Sequence, residues 1–316
     1  MTDRPMPASG AAGHVWVDGR LLPADGSHLS VFDRGFQLGD GVFETLRVRG
    51  ARPTELAEHI ARLRRSASGL GIPLPEDVAE RLATGIAALL AADGLDGPTG
   101  DASIRITVSR GAFRGRGLLP PDEVVEATIA IQAWPVVAPP PDHLERGLHL
   151  IASAVRRDPA NPLATLKTTS RADYVFARLE ARRAGADDAL FLTIDDHLSE
   201  GTTANLFLVR PAAAKTGSSG TSELATPSLD CAILPGTTRS WLLAWGARVG
   251  LRVFEGRLTP GDLAAADEAF LSSSVAGILP VTRFEGKPIG DGSPGPLTRR
   301  ARADREAMIL GREGRS

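Results

Sequence analysis

Cysteine, tyrosine and lysine are almost missing from this chain. Of 316 residues, one is cysteine (Cys231), one is tyrosine (Tyr174) and three are lysine (Lys167, Lys215 and Lys287). A single cysteine excludes an intramolecular disulfide and a four-cysteine zinc site, and no metal site is expected. No apolar run approaches the roughly 18 residues that span a bilayer. The opening stretch, MTDRPMPASGAAG, has no basic segment followed by an apolar core, so a cytoplasmic protein without a signal peptide is expected. The formal net charge of −2 gives no broad basic field for nucleic acid or an anionic membrane. The chain is 42% hydrophobic. Its length predicts two domains and allows a substantial core.

The patterning is that of a mixed α/β protein. Residues 1–13 are small and polar and read as a disordered tail. HVWVDGRLLP reads as a hairpin turning at Asp18-Gly19. GVFETLRVRGARP alternates around Phe43, Thr45, Arg47 and Arg49 as a strand does. Apolar residues at 56, 60, 63, 67 and 70 have helical spacing, closed by Gly71, and a second helix covers about 76–92. ASIRITVSRG and VVEATIAIQAW read as strands. These elements define a small N-terminal α/β domain over 14–133. Residues 134–144, rich in proline, read as an interdomain linker. A larger domain follows over 145–316. In it, 168–184 reads as one helix, and DALFLTIDDHLSEGTTANLFLVR as two strands around Asp195-Asp196. Residues 213–223 form a low-complexity insertion, and the tail from about 294 to 310 is helical. The hairpins are too many for the βαβ rhythm of a doubly wound sheet.

Five features could carry chemistry. Lys167, in LATLKTTSRADY, is either a solvated lysine or a reactive amine. Arginine supplies nearly all the positive charge here, and arginine cannot deprotonate and form a Schiff base. Glu200 lies in LSEGTTANLFLV, ahead of the small, hydroxyl-bearing Gly201-Thr202-Thr203; it is a turn carboxylate or faces a ligand. Gly236, Thr237 and Thr238 stand where a helix begins, which suits an anion site or simple N-capping. SSSV, residues 272–275, is a similar hydroxyl cluster. Arg62 in EHIARL follows Glu58 by four residues, the spacing of a surface ion pair, and His59 beside it reads as a capping or packing histidine. SRGAFRGRGLLPP, residues 109–121, interleaves three arginines with three glycines, which suits recognition of a small carboxylate.

Taken in order, the stretches DRGFQLGDGVFETLRV, EHIARLRRSA, LKTTS, GADDALFLTIDDHLSEGTTANLFLV, LPGTTR and EAFLSSSVAGILPV resemble the class IV (fold type IV) pyridoxal-phosphate enzymes. That family includes branched-chain and D-amino acid aminotransferases and aminodeoxychorismate lyase. The resemblance implies a two-domain fold, with a small α/β domain and a larger domain built on a mixed, barrel-like sheet. It implies pyridoxal 5′-phosphate as cofactor, a homodimer, and amino acid and 2-oxo acid substrates. Lys167 would be the Schiff-base lysine and Glu200 would face the pyridine nitrogen. Arg62, Thr237, Thr238 and Ser274 would hold the phosphate. Phe43 would line the substrate pocket, and Arg116 or Arg114 would bind a substrate carboxylate.

Within the family, the Tyr-x-Arg-Pro stretch of branched-chain enzymes is absent. Tyr174 lies seven residues after Lys167 rather than five. Arg116 is followed by Gly117 and Leu118, without the histidine that D-amino acid enzymes place two positions on. SRG…GRG is similar to the lyase. The leading expectation is an amino acid transaminase. The alternatives are aminodeoxychorismate lyase and a non-catalytic protein of the same fold.

Overall fold

The computed structural model describes residues 13–120, 125–211 and 222–311. Residues 1–12 of the expected tail and most of the expected 213–223 insertion lie outside these. The chain divides into two compact units, one of residues 1–137 with 167–170 and one of 138–166 with 171–316. Four residues around Lys167 thus belong by their contacts to the first unit, although the sequence reading put them in the second domain.

The first unit contains β1 (His14–Val17), β2 (Arg20–Pro23), α1 (Arg34–Leu38), β3 (Gly41–Arg49), β4 (Arg52–Pro53), α2 (Leu56–Gly69), α3 (Val78–Ala92), β5 (Asp101–Ser109) and β6 (Thr128–Pro135). Its strands form an antiparallel sheet in the order β2-β1-β6-β5-β3-β4. Alternation decides the faces. Val42, Leu46 and Val48 of β3, Ile104 and Ile106 of β5 and Ile129 and Ile131 of β6 pack against Leu63, Leu82, Ile86 and Leu89 of α2 and α3. Each such side chain, fully buried, contributes roughly 1.5–3 kcal/mol. The opposite face carries Phe43, Thr45, Arg105, Thr107 and Gln132, paired across β3, β5 and β6. The last residues of β6 fall inside the stretch read as a linker, and so does all but the last residue of a short helix, α4 (Pro141–Glu145).

The second unit continues with β7 (Leu148–Arg157), α5 (Ala172–Arg183), β8 (Asp188–Thr193), β9 (Leu198–Gly201), β10 (Asn205–Pro211), β11 (Ser222–Pro227), α6 (Thr237–Arg248), β12 (Arg252–Gly256), α7 (Pro260–Ala264), β13 (Glu268–Ser273), β14 (Gly277–Phe284), β15 (Lys287–Pro288) and α8 (Pro296–Ile309). The DALFLT…LFLVR stretch makes three strands rather than two, because Gly201-Thr202-Thr203 turns the chain again after β9. β9 pairs with β8 and also with β10, at Glu200↔Asn205. This closes β10-β13-β14-β7-β8-β9 into a six-stranded mixed barrel, with β11 and β12 extending the sheet beyond β10. Leucines at 148, 150, 190, 198, 206, 208 and 271 form one core cluster. A second cluster joins α6 to the sheet through Phe207, Phe270, Leu242 and Trp245, and a third joins α5 through Ala177, Ala181 and Phe191.

The helix after Lys167 begins at Ala172, not 168. Thr168 forms a β-bridge with Val42, the Thr169 N–H donates to the Gly41 carbonyl, and the Ser170 hydroxyl donates to the Gly39 carbonyl. Those bonds hold 168–170 in other conformations.

Candidate active site

In the first unit the lysine peptide is fastened on both sides. The Phe43 N–H donates to the Lys167 carbonyl at 2.9 Å, and the Lys167 N–H donates to Ser66 Oγ at 3.1 Å. The Lys167 amine rests 4.6 Å from the centroid of the Phe43 ring. Only the first residues of β3 offer this edge, because β4 pairs with its far end. Phe43 and Lys167, singled out separately in the sequence, are therefore in contact.

Arg62 is buried, not at the surface where a pair with Glu58 would place it. Its guanidinium forks onto Glu44, with Nε at 2.7 Å from one carboxylate oxygen and Nη2 at 2.6 Å from the other. His59 Nδ1 lies 2.7 Å from the same carboxylate, and the Glu44 and His59 side chains are fully buried. Burial alone would raise the Glu44 pKa. The hydrogen bonds and charges of Arg62 and His59 outweigh it and hold the pKa at about 2, against an ordinary 4.5. Glu44 thus fixes Arg62, and Ser66, which bonds the Lys167 peptide, stands one turn further along the same helix. The sequence carried a signal for this that went unread. Glu44 sits on the apolar side of β3, between Val42 and Leu46, and a carboxylate there requires a buried cation.

A second residue escaped the sequence reading. Arg105, in what read only as a strand, lies with its guanidinium 4.0 Å from the Phe43 ring centroid. Its alternation in β5 places it on Phe43's face of the sheet. Arg114 and Arg116, the expected carboxylate binders, are both exposed, and Arg114 lies over the Phe32 ring.

In the second unit Glu200 is buried at the barrel seam between β9 and β10. Its carboxylate accepts the Leu234 N–H at 2.9 Å and the Asn205 side-chain amide at 3.3 Å, with Arg157 Nη2 at 3.6 Å and the Tyr174 hydroxyl at 3.5 Å. It is a fixed, multiply bonded carboxylate rather than a turn residue. Tyr174, despite its spacing from Lys167, is part of this network, because Arg157 also donates to its hydroxyl. Burial and then the Glu200 charge push the Tyr174 phenol up, against the arginines beside it, so it stays a neutral donor.

The hydroxyls at the start of α6 do not cap the helix. The N-cap is Gly236, without a side-chain cap bond. Thr237 Oγ1 instead lies 3.1 Å from Ser274 Oγ in the β13–β14 turn, and Thr238 accepts a hydrogen bond from Arg305. A Cβ at Gly236 would meet Asn205 Oδ1 at 2.1 Å, so only glycine admits the residue that also holds Glu200. Thr237 and Ser274, far apart in sequence, meet at a helix N-terminus, which favours an anion.

The model of the family described as amino-transferase class IV matches residues 41–284. The chain belongs to the class IV aminotransferases. It is similar to a putative branched-chain-amino-acid aminotransferase of Methanocaldococcus jannaschii, 32% identical over 90% of this chain and 93% of that one. A branched-chain amino acid aminotransferase of Escherichia coli superposes with a TM-score of 0.85 at 26% identity over 96% of each chain. A 4-amino-4-deoxychorismate lyase of Pseudomonas aeruginosa superposes with a TM-score of 0.75 at 33% identity, over 93% of this chain and 98% of that one. The enzymes of this class use pyridoxal 5′-phosphate, and one branched-chain neighbour was solved with pyridoxamine 5′-phosphate. Each unit carries groups of the kind that fit this cofactor: the first an amine resting on the Phe43 ring, the second a buried carboxylate and a hydroxyl-lined helix N-terminus. Among the described residues, no helix is long and apolar enough to cross a membrane.

Proposed function

We propose that this class IV aminotransferase transfers the amino group of an amino acid to a 2-oxo acid, with Lys167 as its catalytic amine. The observation that carries the reading is the fastening of the Lys167 peptide by Phe43 and Ser66, with the amine on the Phe43 ring. A solvated lysine needs no such support. When bound, pyridoxal phosphate supplies an aldehyde for amines and a ring that accepts the electron pair freed at the substrate α-carbon. Lys167 would hold the cofactor through its amine and would carry the proton that leaves the substrate α-carbon. Glu200, held by Leu234, Asn205 and Arg157, would face the ring nitrogen and hold a proton there. Arg62, Thr237, Thr238 and Ser274 would hold the phosphate. Phe43 lines the pocket, and Arg116, or Arg114, binds a substrate carboxylate.

A panel of branched-chain and other L- and D-amino acids with 2-oxoglutarate, run beside aminodeoxychorismate, tests this reading. Amino transfer to the oxo acid is the expected result. Release of pyruvate from aminodeoxychorismate without transfer would replace the reading by the lyase, which the neighbour at 33% identity favours. The protein is further read as a cytoplasmic homodimer. The family resemblance motivates the dimer, as do the exposed Phe36, Leu118 and Leu119 of the first unit. A fully active monomer in sedimentation at low micromolar concentration, or recovery in a membrane fraction, would refute it.

A further inference from the structure

The loop that bears Arg114 and Arg116 is held at both ends by one short segment. At its base, the Arg34 N–H donates to the Gly111 carbonyl and the Phe113 N–H to the Phe32 carbonyl, beside a bridge between Asp33 and Ala112. Further along, three successive carbonyls turn toward a single guanidinium. Arg34 Nη2 donates to Leu118 O at 2.7 Å, and Nη1 to Gly117 O at 3.3 Å and Leu119 O at 3.5 Å. Gly117 makes this possible with φ +121°, a conformation that side chains oppose. With these carbonyls turned inward, the Leu118 and Leu119 side chains are left in solvent, 83% and 86% exposed. Arg114, Gly115 and Arg116 form the short arc between the two anchorages.

Arg34 is itself fixed. Its side chain is 5% exposed, and its Nε donates to Asp40 at 2.8 Å. Asp40 also takes a fork from Arg110, at 2.7 and 3.0 Å, and Arg110 donates to the Leu70 and Gly71 carbonyls that end α2. Burial works against the Asp40 charge, but the hydrogen bonds from Arg110 and Arg34 prevail and its pKa lies below the ordinary value. One carboxylate therefore ties the arginine that holds the loop to the end of the helix that carries Arg62.

We propose that Arg34 is a positioning residue for substrate specificity: anchored by Asp40, it sets the arc on which Arg116 and Arg114 stand. The proposal rests on the reading that this loop meets the substrate carboxylate. Lysine keeps the charge, but its three donors on one nitrogen cannot serve Asp40 and a fan of carbonyls as the planar fork does.

Steady-state kinetics on Arg34→Lys, Arg116→Ala and the double variant, with trypsin mapping of the loop, tests it. Arg34→Lys is expected to raise KM about tenfold with kcat nearly unchanged and with the bound cofactor's absorbance unaltered. Trypsin is expected to cut after Arg114 and Arg116 faster than in the native enzyme. In the double variant the KM should match Arg116→Ala alone, a result that general loss of stability does not produce. Independent, multiplying effects, a fall in kcat at constant KM, or unchanged cutting would overturn the proposal. If Arg116→Ala is silent, the carboxylate reading of that residue has failed by itself; Arg34→Lys then supports the proposal if KM rises and overturns it if KM does not. Should Arg34→Lys fail to fold, Asp40→Asn keeps the guanidinium but removes its anchor, and the same shift in KM and cutting is required of it.

Discussion

Lys167→Arg is expected to abolish amino transfer, lowering turnover by at least on the order of 10⁴-fold, since it removes both the nucleophile and the proton carrier. The fold should survive. The bonds that fasten residue 167 run through its backbone N–H and carbonyl, and a guanidinium still suits the Phe43 face. Arginine nevertheless cannot lose its proton to become a nucleophile. Borohydride reduction of the native enzyme should fix the cofactor on Lys167, and peptide mapping of the variant should find none there. A label on Lys215 or Lys287, or a variant that still turns over, would sink the assignment. Glu200→Gln should behave differently. The amide cannot hold the ring proton as a carboxylate does, so the rate falls while cofactor absorbance persists; an unchanged rate would reduce Glu200 to a structural residue.

Glu44→Gln should cost stability more than any surface change. An amide cannot accept the Arg62 fork and the His59 contact together, and it leaves the buried Arg62 cation uncompensated; such losses cost about 3–5 kcal/mol. The pH dependence has a definite sign. The folded-state pKa of about 2 is depressed from 4.5, so Glu44's contribution is fully present above about pH 4.5. It is lost as the pH falls toward 2, and amounts to about 3 kcal/mol. Urea unfolding of the native enzyme and the variant at pH 7 and across pH 3–5 measures both. The variant should be less stable at pH 7, and the difference should begin to shrink below about pH 4.5, where Glu44 of the unfolded chain takes up protons. Equal stability at pH 7 would show that the buried triad contributes nothing net. A weakened hold on cofactor phosphate should accompany the loss, because Glu44 orients Arg62.

Local patterning was enough to read the elements that bury one face. Strand alternation in β3, β5 and β6 and the 3.6-residue spacing of α2 arise from residues a few positions apart, so the sequence shows them directly. The glycine at the start of α6 and the hydroxyls after it were equally legible. Partners were not. Arg62 reads as Glu58's neighbour along a helix, yet it turns to Glu44, because a buried carboxylate on a packed strand offers more than a solvated one four residues away.

The sequence by itself determined the family, and with it the cofactor: the order of the stretches around Lys167, Glu200 and the hydroxyl-lined helix start resembles that of the class IV enzymes. Only the tertiary structure decided how those groups are held. It took 168–170 out of the helix and laid them along β3, it closed the barrel at Glu200 and Asn205, and it set Arg105 against Phe43. For the first and last of these the physical reason is separation along the chain; the Glu200–Asn205 pair is local, but its role in closing the barrel depends on strands far from it. Each of these contacts joins residues whose pairing depends on which strand edge or helix face remains unsatisfied after the local elements have formed, and no short window of sequence records that.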